Sequence, residues 1–368
     1  MKKKVLHILA GLDRGGCEGN ALCLILQARE YDHHGLILGV EGEMSAEFVS
    51  AGTELRYLNK PSKFPWKLSA LIQEQVADIA PDGVIIWHGM VMLPQTLHAL
   101  SDTGVPILVH GGNPAHSMPL SVDVRYLLLE KVLGKRASAL YVCCSRHVAD
   151  SFRESRYLRR FPRAVVPNGV KDVLVHSMNE KQFDCSKKLV IGMVARLDEI
   201  KDHMTLLRAF KIVLKSHPQV QLELVGDGVL RASLEAMAKE LGITETTRFW
   251  GQVAEPYVVM RDWDLFVYAT TEKEGLGNAL AEAMMMGIAC VATNIGPISE
   301  LVGDPPAALL VPPRDPEAMA AGIIELLQHP DMQHTLSTAG QERARAEFSA
   351  SIFAQRYLEL LDRDRRAL

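Results

Sequence analysis

The sequence predicts an α/β protein made of two doubly wound domains, each with a parallel sheet covered by helices on both faces. Along the whole chain, short runs of valine, isoleucine and leucine alternate with stretches whose apolar residues have helical spacing. Continuous apolar runs are typical of strands buried on both faces. The alternation restarts after a turn at Pro167-Asn168-Gly169, and 368 residues are too many for one ordinary core. We therefore expect two domains of similar size, residues 1–169 and 170–348.

The N-terminal domain opens with its clearest strand and helix. KVLHILAGL is a β-rich run that ends in DRGG, and EGNALCLILQARE after it has helical spacing. The runs HGLILGV, DGVIIWHG, VPILVHGG and ALYVCCS follow at intervals that leave room for helices, and RAVV precedes the Pro-Asn-Gly turn. Strands that alternate with helices imply parallel pairing, and ligands of such sheets lie beyond the carboxyl ends of the strands.

The C-terminal domain repeats the same alternation. Its predicted strands are KLVIGMVARL, VQLELVGDG, TRFWGQV, DLFVYATT and IACVATNIG, and helices are predicted over 202–216 and 229–241. The last helix, roughly 349–362, is expected to cross back onto the first domain, so that 349–368 packs there. Two Rossmann-like domains facing each other would form a cleft with room for two substrates.

Composition and charge exclude several classes of protein. The chain is 48% hydrophobic and 23% charged, which are ordinary globular values and exclude extensive disorder. A net charge of -4 argues against a nucleic-acid binder that works by overall charge. Residues 1–170 carry 19 Lys and Arg against 16 Asp and Glu, whereas the remainder carries 21 against 28. The N-terminal half is therefore better suited to an anionic neighbour.

The cysteines and the apolar runs bear on the compartment. Six cysteines form no CxxC pair, so they are interpreted as small buried residues of a reducing compartment and not as a disulfide scaffold or zinc ribbon. Asp13 and Arg14 interrupt the apolar start too early for a signal peptide, and no run approaches the length of a bilayer-spanning helix. The chain is expected in the cytoplasm, where it could associate with the inner face of the cytoplasmic membrane.

The stretch EKEGLGNALAEAMMMG places Glu274 just before a glycine-rich turn and Glu282 within a predicted helix. If the helix ends at Gly287, the turn Gly275–Asn278 presents free N–H groups at a helix N-terminus, which suits a phosphate. Eight helical residues separate the two carboxylates by roughly 12 Å. A glycosidase pair is about 5–10 Å apart, so hydrolysis is disfavoured. Two carboxylates that accept hydrogen bonds from diols around a diphosphate fit better than a helix cap and a surface residue.

The segment VARLDEIKD follows a predicted strand and places Arg196 and Lys201 at its carboxyl end. Two cations there can neutralise a diphosphate as it becomes a leaving group. An ordinary pair of surface cations is the alternative. Gly226-Asp227-Gly228 lacks the third glycine of a dinucleotide fingerprint and is interpreted as a tight turn near a ligand.

Two aspartates could form a metal pair in RDWDLFV, at Asp262 and Asp264. Asp264, however, opens an apolar strand, and the two cations of VARLDEIKD could supply the positive charge instead. No metal site is predicted.

In the N-terminal half, Gly15 and Gly16 fall in the first strand-to-helix turn, where backbone can approach a substrate closely. His88 and His110 each end an apolar strand and are candidates for a functional role, although a lone histidine is more often structural. The segment 153–163 holds five arginines and two aromatics. It could contact anionic lipid headgroups or a pyrophosphate-linked acceptor, or form a solvated basic face.

The C-terminal half resembles the retaining glycosyltransferases of family 4, which have the GT-B fold. The matching series is GMVARLDEIKD, LELVGDG, RFWGQV, WDLFVYATTEKEGLGNALAEAMMMG, CVATNIGPISELV and LLVPPRDPEAMAAGI, over about 190–325. GLDRGGCEGN, the histidine after VPILV and VCCS with VVPNGV extend the likeness more loosely into the N-terminal half. Thr270 stands where a serine is usual. Among members of the family, the EGLGNALAEAM motif most resembles those that assemble bacterial surface polysaccharides on a lipid carrier.

The resemblance implies a role for each candidate residue. The donor-binding set would be Gly16, Arg196, Lys201, Val253, Glu274, Gly275, Leu276, Gly277, Asn278 and Glu282, and the catalytic set would be His110, Glu274, Arg196 and Lys201. In the family, the cations bind the diphosphate, the glutamate before the glycine turn lies beside the donor sugar, and the second glutamate holds the ribose hydroxyls. Val253, with Gln252, would belong to the region that contacts the nucleobase.

The resemblance also implies the reaction, in which a UDP- or GDP-sugar donates to a hydroxyl of a sugar or lipid-linked glycan acceptor, as in a hexosyltransferase. The N-terminal domain would bind the acceptor and the C-terminal domain the nucleotide sugar. The anomeric configuration would be retained, without a metal or another cofactor. A non-hydrolysing nucleotide-sugar epimerase and a catalytically silent GT-B partner protein are the alternatives. The missing fingerprint disfavours an NAD-dependent dehydrogenase.

Overall fold

The computed structural model describes residues 2–59, 65–87, 92–115, 119–171 and 189–362. The chain divides into two compact units, one formed by 1–169 with 350–368 and the other by 170–349. His88 and Cys185 lie outside the described residues. Each unit is an α/β domain built on one parallel sheet, so the predicted fold class is confirmed.

The N-terminal unit contains a seven-stranded sheet in the order β3-β2-β1-β4-β5-β6-β7, and every pair is parallel. Its strands are β1 Lys4–Leu9, β2 Asp32–Ile37, β3 Glu54–Tyr57, β4 Gly83–Ile86, β5 Ile107–Gly111, β6 Leu140–Cys143 and β7 Arg163–Val165. Its first six helices are α1 Gly16–Gln27, α2 Ser45–Ser50, α3 Pro65–Ile79, α4 Leu93–Ala99, α5 Leu120–Leu133 and α6 Arg146–Ser151.

The C-terminal unit contains a six-stranded parallel sheet in the order β10-β9-β8-β11-β12-β13. Its strands are β8 Val190–Val194, β9 Gln221–Val225, β10 Thr247–Gly251, β11 Leu265–Tyr268, β12 Ala289–Thr293 and β13 Leu309–Val311. Its helices are α7 His203–Ser216, α8 Arg231–Glu240, α9 Tyr257–Met260, α10 Asn278–Met285, α11 Gly296–Val302, α12 Pro316–Gln328 and α13 Pro330–Glu347.

The last helix, α14 (Ala350–Asp362), belongs to the N-terminal unit and packs beside α1. Its apolar face is buried, because Phe353 and Tyr357 join the aliphatic core of the first sheet. The Tyr357 ring stacks on Trp87 with 5.6 Å between centroids. This is the crossing back that the sequence predicts.

In both sheets the strand order reverses once, between β1 and β4 in the first unit and between β8 and β11 in the second. Loops on the two sides of a reversal diverge and leave a crevice at the carboxyl ends of the strands, where doubly wound folds bind ligands. The elements that position the candidate site of the second unit are therefore the loops after β8 and β11. In the part of the chain that the structure describes, no helix is long and apolar enough to cross a membrane.

Candidate functional site

The loops after β8 and β11 bring Lys201 and Glu274 together at the reversal point of the second sheet. The Lys201 ammonium forms an ion pair with Oε2 of Glu274, and each side chain is only 12% exposed. Charged residues are seldom buried unless they are paired. The pair therefore forms a fixed, largely desolvated centre of charge at the edge where this fold binds ligands.

Two hydroxyl groups complete the surroundings of the Glu274 carboxylate. The Tyr268 hydroxyl accepts a hydrogen bond from Lys201 Nζ at 2.6 Å and donates one to Glu274 Oε2 at 2.8 Å. Thr270 Oγ1 lies 3.1 Å from Glu274 Oε2 and 3.1 Å from the Ile200 carbonyl oxygen. The other carboxylate oxygen accepts from the Gly275 N–H at 3.1 Å. Every polar atom of this carboxylate is thus held by a named donor.

These contacts lower the pKa of Glu274. Burial by itself would raise the pKa of this carboxyl, but the charge of Lys201 and the hydrogen bonds from Lys201, Tyr268 and Gly275 outweigh it. Glu274 is consequently an anion at neutral pH and acts as a hydrogen-bond acceptor. It is not a general acid in this state.

Arg196 occupies a different environment from Lys201. Its side chain is 75% exposed, and Nη2 lies 3.1 Å from Oδ2 of Asp198. The other oxygen of Asp198 accepts from the backbone N–H groups of Ile200 and Lys201, at 3.0 and 3.3 Å. Asp198 therefore shapes the loop that carries Lys201 while it pairs with Arg196.

The turn at Gly226-Asp227-Gly228 packs against the loop that carries Arg196. The Leu197 N–H donates to the Asp227 carbonyl at 3.0 Å. A Cβ on Gly226 would lie 2.0 Å from the Ala195 carbonyl oxygen, and φ at Gly226 is +133°. Only glycine permits this approach. The turn is thus explained by backbone packing against the Arg196 loop.

The glycine-rich turn after Glu274 leads directly into α10. Gly275, Leu276 and Gly277 are buried, and Gly277 is the N-cap residue with φ of +100°. A glycine cap has no side chain to satisfy the first N–H groups of the helix, and these groups carry a partial positive charge. Asn278 begins the helix. The turn leads into a helix N-terminus, as the sequence predicts, but the N–H of Gly275 already donates to Glu274, so the turn does not present all of its N–H groups free. Anion binding at this turn stays a prediction.

Glu282 lies on α10, four residues beyond the first, and is partly buried. Burial raises its pKa to about 7, and a hydrogen bond with Tyr257 partly opposes that rise. Tyr257 begins α9, and half-buried Val253 lies in the loop just before it. The loop that holds Val253 and the helix that holds Glu282 therefore meet through this tyrosine.

The candidate residues of the N-terminal unit have quite different exposures. His110 lies in β5, is almost fully buried, and its Nδ1 is 2.7 Å from the Tyr357 hydroxyl. Gly16 is the exposed first residue of α1. At Gly15, a Cβ would lie 2.5 Å from Oε2 of Glu18, the end of a flexible side chain. Approach of a substrate to this turn stays a prediction.

The two aspartates considered as a metal pair are engaged in separate contacts. Oδ2 of Asp264 accepts from the Val190 N–H at 2.8 Å and so joins β8 to the start of β11. Asp262 is exposed and lies beside Arg261. Within the described ranges, no group of three or more His, Cys, Asp or Glu side chains could hold a metal ion.

Comparison with known families identifies the C-terminal unit. The family described as glycosyl transferases group 1 matches residues 177–343. The matched residues all lie within the C-terminal unit. The predicted resemblance to glycosyltransferases is confirmed, and the chain is a glycosyltransferase; membership of family 4 and retention of configuration stay predictions.

The glycosyltransferase has relatives among bacterial proteins. EpsF of Bacillus subtilis (strain 168), named as a glycosyltransferase, is 26% identical over 313 residues, which are 80% of this chain and 79% of EpsF. LpsD of Rhizobium meliloti (strain 1021), named as a lipopolysaccharide core biosynthesis glycosyltransferase, is 33% identical over 175 residues, which are 48% of this chain and 49% of LpsD. The chain thus spans most of EpsF and about half of LpsD in these matches.

The fold of the glycosyltransferase is shared by solved structures. The crystal structure of Anabaena Alr3699/HepE in complex with UDP-glucose superposes with a TM-score of 0.82 at 20% identity, over 97% of this chain and 99% of HepE. At this identity the likeness establishes the fold, which is GT-B.

Sequence reasoning about this glycosyltransferase missed three residues of the site: Tyr268, Asp198 and Tyr257. Tyr268 ends the buried strand β11 and is itself buried. A polar tip at the carboxyl end of an otherwise apolar strand beside a reversal point is the signal that could have found it. Asp198 bonds the loop that carries Lys201, and Tyr257 bonds Glu282 from the start of α9. The sequence offers no comparable pattern for either contact.

Proposed function

We propose that the glycosyltransferase is a retaining enzyme of family 4 that moves a hexose from a UDP- or GDP-sugar to a hydroxyl of a sugar or lipid-linked glycan. The C-terminal unit binds the donor, and the N-terminal unit binds the acceptor. The product belongs to a bacterial exopolysaccharide, lipopolysaccharide or similar glycoconjugate.

The observation that carries this proposal is the Lys201–Glu274 centre at the reversal point of the second sheet. It joins a buried cation to the start of a glycine-capped helix, and both features favour a diphosphate. Negative charge on the β-phosphate grows as the glycosidic bond breaks. The preorganised ammonium of Lys201, placed beside the β-phosphate, would stabilise the transition state more than the ground state.

The remaining residues have distinct roles in this scheme. Arg196, being exposed, can turn from Asp198 to the diphosphate when the donor binds. Glu274 accepts hydrogen bonds from hydroxyls of the donor sugar, and Glu282 accepts them from the ribose. The loop at Val253 contacts the nucleobase. His110 and Gly16, which belong to the N-terminal unit, contribute to the transfer of the sugar.

The two cations supply the charge that a metal ion would otherwise provide, so the proposed reaction needs no metal. Glu274 accepts hydrogen bonds from Lys201, Tyr268 and Gly275 and is not free to attack a sugar carbon. Attack of the acceptor on the same face as the departing phosphate, with that phosphate taking the acceptor proton, is therefore proposed for transfer with retention.

The relatives support the substrate classes. HepE was crystallised with UDP-glucose, which favours a uridine diphosphate donor. LpsD is named for lipopolysaccharide core biosynthesis, which favours a glycan acceptor attached to lipid.

A panel of UDP- and GDP-sugars tests the proposal by thermal shift and then by transfer. A ligand that binds only the folded state raises Tm, so the cognate donor is expected to give the largest rise. Transfer of a labelled sugar from that donor to a glycan acceptor is expected, and NMR of the product should show the anomeric configuration of the donor.

An inverted product would overturn the retaining mechanism. Conversion of the donor to its epimer without acceptor would point to an epimerase. Donor binding without turnover, with every acceptor tried, would point to a silent GT-B protein.

A further inference from the structure

Helix α5 of the N-terminal unit exposes a stripe of large aliphatic side chains. Leu120, Val124, Leu128 and Val132 are 70%, 40%, 59% and 73% exposed. They recur at every fourth position and so lie on one face of the helix. A soluble helix normally turns such a stripe toward a core, and contiguous exposed aliphatic residues mark an interaction surface. The stripe is about 18 Å long.

The charged residues exposed on the same face are cations. Arg125 and Lys131 are exposed beside the aliphatic stripe, and Lys135, just beyond the helix, is exposed and lies 3.6 Å from the exposed carboxylate of Asp102. The two acidic residues of the helix, Asp123 and Glu130, lie on another face, as their helical positions require. The exposed face of α5 is thus apolar and basic at once.

The acidic residues of α5 are already paired with residues on the inner side of the helix. Asp123 is buried and accepts from the Ser155 hydroxyl at 2.6 Å and from the backbone N–H groups of Arg156 and Tyr157 at 2.9 and 3.0 Å. Glu130 pairs with Arg136 and Arg160. Neither carboxylate is available to neutralise the outer surface.

The neighbouring segment adds more positive charge. Arg153, Arg156 and Arg159 are exposed, and Arg153 lies 3.4 Å from the exposed carboxylate of Asp150. Residues 119–163 together contain ten Lys and Arg and four Asp and Glu. Two copies of this basic face would repel each other, whereas an anionic surface would attract it.

We propose that α5 lies in the interface of an anionic lipid bilayer, with Leu120, Val124, Leu128 and Val132 inserted among the acyl chains and the surrounding cations at the phosphate level. Aliphatic residues on one face with lysine and arginine beside them is the pattern of helices that lie in the plane of a membrane. Anionic headgroups attract each nearby cation. The inference does not depend on the sugar-transfer proposal.

Vesicle co-sedimentation of the full chain tests this surface. Wild type is expected to bind vesicles of phosphatidylcholine with phosphatidylglycerol and to bind pure phosphatidylcholine far less, and added salt should weaken the binding. The double variant Leu128→Ser/Val132→Ser should lose about tenfold in partition coefficient, since two aliphatic side chains no longer insert. The control Val49→Ser/Val229→Ser alters two valines elsewhere that are 58% and 88% exposed, and it should bind as wild type does.

The cations are tested in the same assay. Lys131→Gln/Lys135→Gln should lose about tenfold toward anionic vesicles, whereas Lys215→Gln/Lys239→Gln, which changes two exposed lysines of the other unit, should not. Circular dichroism and Tm of each variant show that the fold is kept.

Three results would overturn the proposal. They are failure of wild type to sediment with anionic vesicles, equal binding by the serine variants of α5 and their control, and a wild-type dimer in light scattering that Leu128→Ser/Val132→Ser converts to a monomer. The last result would assign the stripe to a second copy of the chain.

Discussion

The hydroxyl of Tyr268 joins the two charges of the site, because it accepts from Lys201 at 2.6 Å and donates to Glu274 at 2.8 Å. The phenol is fully buried and its ring lies 4.9 Å below the ammonium. Burial and the neighbouring carboxylate raise the pKa of Tyr268 well above its ordinary value, so the hydroxyl keeps its proton. Tyr268 is therefore a positioning residue for both charged partners.

Removing this hydroxyl should change the pH profile of transfer. The hydrogen bond from Tyr268 lowers the pKa of Glu274, so Tyr268→Phe should raise it and move the acid limb of kcat/KM to higher pH. The ring and its stacking on Phe266 remain, and the fold should be kept. An acid limb at the wild-type pH would contradict a positioning role.

Glu274→Ala should abolish most transfer without unfolding the protein. The substitution removes the acceptor proposed for the donor sugar and leaves Lys201 without its ion pair, so we expect kcat/KM to fall by about a hundredfold to a thousandfold. Glu272→Ala is the matched control, since Glu272 is exposed and pairs with Arg314 instead. Transfer by Glu274→Ala at the rate of the control would refute the assignment.

Arg196→Ala should weaken binding of a nucleoside diphosphate. Hydrogen bonds to charged groups contribute about 1.5–3 kcal/mol, so a rise of about tenfold or more in the Kd of UDP is expected by calorimetry. Arg261→Ala is the control, because Arg261 is also exposed and also lies beside an aspartate. If both variants bind UDP equally well, Arg196 does not touch the diphosphate.

The repeating apolar runs are enough to predict the architecture. Each run that the sequence marks as a strand became one, because a strand buried on both faces must be apolar throughout. The two strands without a prediction, β3 and β13, lie at sheet edges and have four and three residues.

The site is only partly readable from the sequence. Glu274 and its glycine turn are recognisable because backbone N–H groups at a helix start need a particular local sequence. The partners of each charge come from tertiary contacts. The sequence pairs Arg196 with Lys201 as two like charges, whereas the structure pairs Arg196 with Asp198 and Lys201 with Glu274. Such pairing depends on how two loops lie, which periodicity does not encode.

Glu282 should make stability fall as pH rises toward neutrality. Its pKa is about 7 in the folded state against 4.5 ordinarily, so the folded protein binds the extra proton between these values. Stability is then lost across that window, by at most about 3 kcal/mol. Glu282→Gln removes this loss, and urea unfolding at about pH 5 and about pH 8 should show a smaller difference for the variant. Equal pH dependence in both proteins would show that Glu282 ionises normally.

The buried pair of His110 and Tyr357 allows the proposed catalytic role of the histidine to be separated from a structural one. Tyr357→Phe deletes the hydroxyl 2.7 Å from His110 Nδ1 and keeps the ring that stacks on Trp87. Loss of a buried partner should cost about 1–3 kcal/mol of stability. If His110 takes part in transfer, misorienting its ring should also lower kcat, while KM for the donor stays unchanged because the donor is proposed to bind the other unit. Tyr141→Phe, another fully buried phenol, is the control for stability alone. A fall in kcat of equal size in both variants would leave His110 with a structural role only.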